Sequence, residues 1–131
     1  MPPKYINVFF SEFIRKIHAH ITLVGWLGCS VMGAAYYLAP EIGKGERYRP
    51  RVAYANFILH VGGLVLMCLG FHMIGTRGFA SGFEYGSPGF RQAVGNVRLL
   101  VPMGGGMLLT SALCFAYNIG RTLFGPLVRS G

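Results

Sequence analysis

Apolar and polar positions along this chain segregate into long blocks. Charged side chains are absent from Ile17 to Pro40, from Val52 to Thr76 and from Leu99 to Gly120, windows of 24, 25 and 22 residues. A helix needs about 20 apolar residues to cross a hydrocarbon core of ~30 Å, and every window is long enough. The pattern predicts an all-α integral membrane protein with three transmembrane helices, over about residues 17–39, 52–75 and 97–120, in a single membrane domain. Residues 1–16 mix apolar residues such as Phe9, Phe10 and Phe13 with Lys4, Glu12, Arg15 and Lys16. That mixture fits an N-terminal interfacial helix or an extension of the first span. Pro40 is expected to end that span. Loop one, Glu41 to Arg51, is short and charged. Loop two, about Gly75 to Gln92, is rich in Gly, Ser and Phe and has no helical period. Span three opens with Pro102, Met103, Gly104, Gly105 and Gly106, which points to a bend or a very close packing surface.

Composition removes the soluble alternative. Only 12% of residues are charged, against about a quarter in soluble domains, so three buried helices would leave too few polar residues to cover a surface. The net charge is +8, but the basic residues flank the spans, where they act as headgroup and orientation signals. No continuous basic face exists, which excludes nucleic acid as a partner. The first window is too long for the apolar region of a cleaved signal peptide. With three spans, the N-terminus and loop two share one side, side A, with Lys4, Arg15, Lys16, Arg77, Arg91 and Arg98. Side B holds Lys44, Arg47, Arg49, Arg51, Arg121 and Arg129. Loop one concentrates four of these in one short connection, which favours side B as cytoplasmic. Cys29, Cys68 and Cys114 fall one per span without pairing motifs and read as small buried hydrophobes.

Candidate chemistry lies in the histidines. His18, His20, His60 and His72 all lie in or at the edge of a span. An ionisable residue at membrane depth is costly, and imidazole is a common axial ligand of haem iron. An interhelical hydrogen bond is the plainer role for any one of them. His18 and His20 start span one at side A, and antiparallel span two brings His72 back to the same end. His60 lies 12 residues before His72, about 18 Å deeper at about 1.5 Å per residue. His18 and His72 therefore suit one bis-imidazole haem near side A. Gly25, Cys29 and Gly33 fall on the face of His18, where small residues admit a macrocycle or a neighbouring helix. Val24, Leu27 and Val31 fall on the side of His20 and suit lipid. Gly63 and Gly70 lie nearer the face of His60, so depth favours His72 and face favours His60. Arg15, Arg77 and Arg98 lie at side A, where haem propionates would emerge.

The stretch Arg15 to Glu41 reads RKIHAHITLVGWLGCSVMGAAYYLAPE. It resembles the second transmembrane helix of haem–copper oxidase catalytic subunits, closest to nitric oxide reductases and cbb3-type oxidases. That branch shows an Arg, then His-Thr-Asn or His-x-His, then an apolar helix closing on Gly-Ala-x-Tyr-Tyr-x-x-Pro. The matching residues are Arg15, His18, His20, Gly33, Ala34, Tyr36, Tyr37 and Pro40. The resemblance implies that His18 ligates a low-spin haem b. It does not imply reduction of oxygen or nitric oxide by this chain alone, because four histidines cannot supply two haems and a metal and the family's His-His pair is missing. The family's other low-spin ligand lies on a late helix absent here, so His72 or a histidine from another copy would replace it.

The leading expectation is a small membrane b-type cytochrome that transfers electrons, alone or within a larger respiratory-type complex. It would lie in the lipid bilayer as a multi-pass protein of a bacterial inner (cytoplasmic) membrane, as a homo-oligomer or a subunit. One alternative is a non-catalytic accessory or scaffold subunit whose histidines serve packing. Another is a gas-binding haem protein with one open axial position. A transporter is disfavoured, because the spans hold no acidic residue.

Overall fold

The computed structural model of the protein describes residues 3–43 and 47–125, with side chains from residue 11 onward. Lys44, Arg129 and the side chains of Lys4, Phe9 and Phe10 lie outside the described residues. Three long helical rods dominate. The first is continuous: α1 (Pro3–Ala19), a π-helical segment (His20–Leu27) and α2 (Gly28–Ile42). Junction residues Ala19, Leu27 and Gly28 all keep helical dihedrals, so residues 3–19 extend the first span rather than forming a separate interfacial helix. The second rod is α3 (Pro50–Ser81). A short α4 (Pro88–Val94) and a 3₁₀ segment (Gly95–Leu99) lead into α5 (Leu100–Phe124). All three rods are long and apolar enough to cross a membrane, and the protein is an all-α integral membrane protein.

Local chemistry sets the ends. Pro50 occupies the first turn of α3, after an extended Arg49; it has no amide to leave unpaired and its φ is already helical. The helix stops at Gly82, whose φ of 67° is left-handed. In α4 the Ser87 hydroxyl accepts the Phe90 amide at 3.1 Å, with Pro88 next to the cap.

Two expected boundaries move. Pro40 lies inside the last turn of α2, and the helix ends at extended Gly43, whose amide donates to the Ala39 carbonyl at 2.8 Å. A proline that close to a C-terminus disrupts only the final turn. The Gly- and Ser-rich stretch after residue 75 is helical through Ser81, so the loop shrinks to residues 82–87. Gly75 is a packing position, buried against the Phe13 ring.

The rods pack antiparallel, and α3 with α5 is the most extensive pairing. The glycine run of span three is a close-packing surface. A Cβ at Gly104 would lie 2.6 Å from the Gly63 carbonyl oxygen, and one at Gly63 would lie 2.8 Å from the Gly104 carbonyl oxygen. The two backbones touch there, as small residues permit in membranes.

The interior is polar where a soluble core would be apolar. Asn56, His60, Ser111, Asn118 and Thr122 are buried between helices, while Leu23, Trp26, Val31 and Leu109 point outward. Lipid solvates apolar surface as well as a protein core does, so interhelical hydrogen bonds and small-residue contacts supply the association. Asn118 illustrates this at side B. Its carboxamide accepts the Arg49 amide at 2.8 Å and donates to the Arg49 carbonyl at 3.0 Å, clamping the start of α3 to α5.

Candidate functional site

The contacts of α1 with α3 set the level of each histidine. Gly75 packs on Phe13, the His20 ring lies 5.2 Å from that of Phe71, and Leu64 meets Gly25. His18 and His72 fall between the first two contacts and so share a level at side A, as the depth argument expects. His60 lies deeper, at the level of Val24 and Gly28.

The faces differ from expectation. His20, not His18, is turned towards α3. Its Nδ1–H donates to the Lys16 carbonyl at 2.7 Å, which leaves Nε2 with a free lone pair. Two residues away is about 200° around a helix, so His18 points away from α3 and is exposed. His72 is exposed on α3. Neither imidazole has a hydrogen-bond partner among the described residues. His18 and His72 are thus brought to one level but not into one cleft.

The π-helical segment explains why the projected faces fail further along. A π-helix bonds i to i+5 and turns less per residue than an α-helix. Eight such residues rotate everything beyond His20 away from a 100° projection. Gly25, placed with His18 by spacing, packs on α3 through Leu64 although His18 points away, and Gly33 stays open with nothing within 4 Å of an added Cβ.

His60 is held by protein on both nitrogens. Its Nε2–H donates to the Val24 carbonyl at 2.8 Å, inside the π-helical segment. Its Nδ1 faces the Ser111 hydroxyl at 3.5 Å. That hydroxyl also bonds the Asn56 carboxamide oxygen, and Asn56 donates to the Tyr36 hydroxyl at 3.2 Å. The network joins all three rods and leaves no buried polar side chain unsatisfied among the described residues. A widened helical turn tilts carbonyls towards neighbouring side chains, which suits the Val24 contact. The geometry places His60 in this interhelical network, and the sequence carries one usable signal for this. Asn56, His60 and Ser111 are polar residues within charge-free windows, and 56 and 60 stand one helical turn apart.

The arginines at side A are placed as follows. Arg15 is exposed and paired with Glu12. Arg77 and Arg98 are exposed, and Arg98 lines a cavity beside α4. The three cysteines are free and partly exposed. No group of three or more His, Cys, Asp or Glu is arranged to hold a metal ion among the described residues.

Comparison with known proteins bears on the same stretch. Residues 13–107 match the family described as "Cytochrome C and Quinol oxidase polypeptide I". The chain is 32% identical to the cytochrome c oxidase subunit 1 homolog of Agrobacterium tumefaciens (strain T37), over 82% of this chain and 22% of that protein. It is likewise 32% identical to a nitric oxide reductase subunit of Stutzerimonas stutzeri, over 83% of this chain and 22% of that protein. No solved structure matches. The chain therefore spans about a fifth of the length of these relatives. With residues 13–107 covered, all four histidines inside that stretch and three membrane-spanning helices, the chain belongs to the cytochrome c and quinol oxidase polypeptide I family.

Proposed function

We propose that this protein is a small membrane b-type cytochrome in which His18 supplies an axial imidazole to haem b on the outward face of α1. The observation that carries the reading is His18 itself. It is an exposed imidazole among the lipid-facing side chains of Ile14 and Ile21, with neither nitrogen bonded among the described residues. Nothing in those residues satisfies it, and a lone polar group there is costly.

The donor set fits one half of a low-spin haem site. His18 presents one imidazole outward, and His72 lies on another surface at the same level. The opposing ligand then comes from outside the three helices, from a second copy, where His72 is the candidate, or from the remainder of a larger respiratory-type membrane complex. Arg15 and Arg77 stand at the same end to pair with haem carboxylates. The bound haem would supply a one-electron couple whose potential the axial ligands and the burial set. The membrane would be a bacterial inner membrane with side B cytoplasmic.

A second reading rests on His20. Its Nδ1–H bond to the Lys16 carbonyl fixes the tautomer and leaves the Nε2 lone pair free, the usual arrangement behind a metal-ligating histidine. Oxidised and dithionite-reduced spectra of the haem-replete, detergent-purified protein separate these. Sharp reduced α and β bands, unmoved by carbon monoxide and lost in His18→Ala but kept in His20→Ala and His60→Ala, are the expected result. Loss in His20→Ala alone transfers the ligand role to His20. Bands that shift with the gas indicate an open axial position and a gas-binding protein. No haem signal at all refutes the cytochrome reading and leaves an accessory subunit.

A further inference from the structure

A second feature of side A is unused by the haem reading. Between the end of α3 and the α4–3₁₀ segment lies a cavity of about 430 Å³. Its inner wall is apolar, built from Ile74, Phe90 and Val94, with Phe90 and Val94 almost fully buried. Tyr85 stands edge-on to Phe90, with ring centroids 5.1 Å apart. Its rim carries two guanidinium groups, Arg91 and Arg98. We propose that this cavity binds the phosphate of an anionic lipid headgroup.

Charge comes first. Neither Arg91 nor Arg98 has an ion pair or a side-chain hydrogen bond among the described residues. Glu84 is the only acidic side chain between residues 47 and 131, and it does not line the cavity. Two like charges around one apolar-walled space repel unless an anion lies between them. A phosphate oxyanion accepts bidentate hydrogen bonds from guanidinium. The size lies within the usual range for ligand pockets.

Depth is the second argument. Ile74 stands two residues before the end of the second charge-free window, and Arg98 immediately precedes the third. The cavity therefore straddles the boundary between hydrocarbon and headgroup, where lipid phosphates lie. Its apolar wall matches the start of an acyl chain and its charged rim matches the phosphate. Among the described side chains no residue of α1 lines it, and His18 points away from α3, so the cavity is separate from the proposed haem ligand. Arg98, which spacing alone assigns to a haem carboxylate, here serves lipid. Basic pockets between transmembrane helices take anionic headgroups by the same chemistry.

The test is native mass spectrometry of the full chain in detergent. It is titrated with phosphatidylglycerol, with phosphatidylcholine and with inorganic phosphate, for the unaltered protein, R91Q/R98Q and the side B control R51Q. Phosphatidylglycerol is expected to bind in preference to phosphatidylcholine. Each interfacial arginine contributes about a fivefold factor, so R91Q/R98Q should bind about thirty-fold more weakly, with R51Q unchanged and far-UV dichroism intact. Displacement of phosphatidylglycerol by millimolar phosphate supports the oxyanion as the recognised group. Resistance to it, with the headgroup preference kept, supports the lipid as a whole. If the double variant does not fold, R91Q and R98Q singly carry the test, each at about fivefold. Equal binding of the two lipids, or undiminished phosphatidylglycerol binding in the variants, overturns the proposal. So does loss of a haem spectrum in R98Q with lipid binding kept, because Arg98 then belongs to the haem.

Discussion

Replacing Gly104 by alanine puts one methyl group into the close backbone contact between α3 and α5. The new Cβ would lie 2.6 Å from the Gly63 carbonyl oxygen and 2.8 Å from the Met67 amide nitrogen, whereas ordinary contact begins at 3.4 Å. Both opposing atoms belong to the α3 backbone and cannot swing aside, so α3 and α5 must part by about 0.8 Å there (3.4 minus 2.6). Overpacking of this kind costs about 1–3 kcal/mol. The same separation stretches the Ser111–Asn56 and Asn118–Arg49 hydrogen bonds along the seam. Gly106 provides the control, because an added Cβ there meets nothing within 4 Å. Both substitutions gain the same helix propensity, up to about 1 kcal/mol, so their difference isolates the contact. Unfolding in mixed micelles, followed by far-UV dichroism, should place Gly104→Ala about 1–3 kcal/mol below Gly106→Ala. Equal stabilities would refute the close approach of the two helices, and with it the placement of the polar seam.

Three other outcomes follow from the same structure. Ser111→Ala removes the hydroxyl between Asn56 and His60 and should cost about 1 kcal/mol. A double-mutant cycle with Asn56→Ala should show coupling, and additivity would remove the network. Asn118→Leu breaks both bonds to Arg49 and should speed tryptic cleavage after Arg47 severalfold while leaving helicity unchanged; an unchanged cleavage rate would mean that the clamp does not hold loop one. Trp26 is the sole tryptophan and is 72% exposed on the first rod, so brominated lipids should quench its fluorescence strongly, and absence of quenching would mean that this face is covered by protein.

Legibility differed by feature. The charge-free windows alone announced three helices, and the glycine run after Pro102 announced a close contact. Boundaries were less legible, because composition is a poor guide to where a helix ends. The segment after Gly75 looks like a loop by its Gly, Ser and Phe content, yet it is helical through Ser81 and Gly75 receives the Phe13 ring. Pro40 looks like a stop, yet Gly43 ends the helix. Among the histidines, depth was readable and orientation was not. Level depends only on rise along the helix, and the Gly75–Phe13 and Phe71–His20 contacts agree with it. Orientation depends on rotation, and the π-helical turn between His20 and Leu27 changes the rotation per residue without marking itself in the residue types.

The sequence by itself determined that the chain is a three-helix membrane protein, because hydrocarbon thickness fixes how many apolar residues a span needs, and it placed the histidines by depth. Only the tertiary structure decided that His60 bonds to Val24 and Ser111 within the seam, that His20 rather than His18 faces α3, and that Arg91 and Arg98 share one cavity. Those outcomes depend on which faces of the helices meet, and in a bundle held by backbone contacts and hydrogen bonds, hydrophobic patterning does not specify that choice.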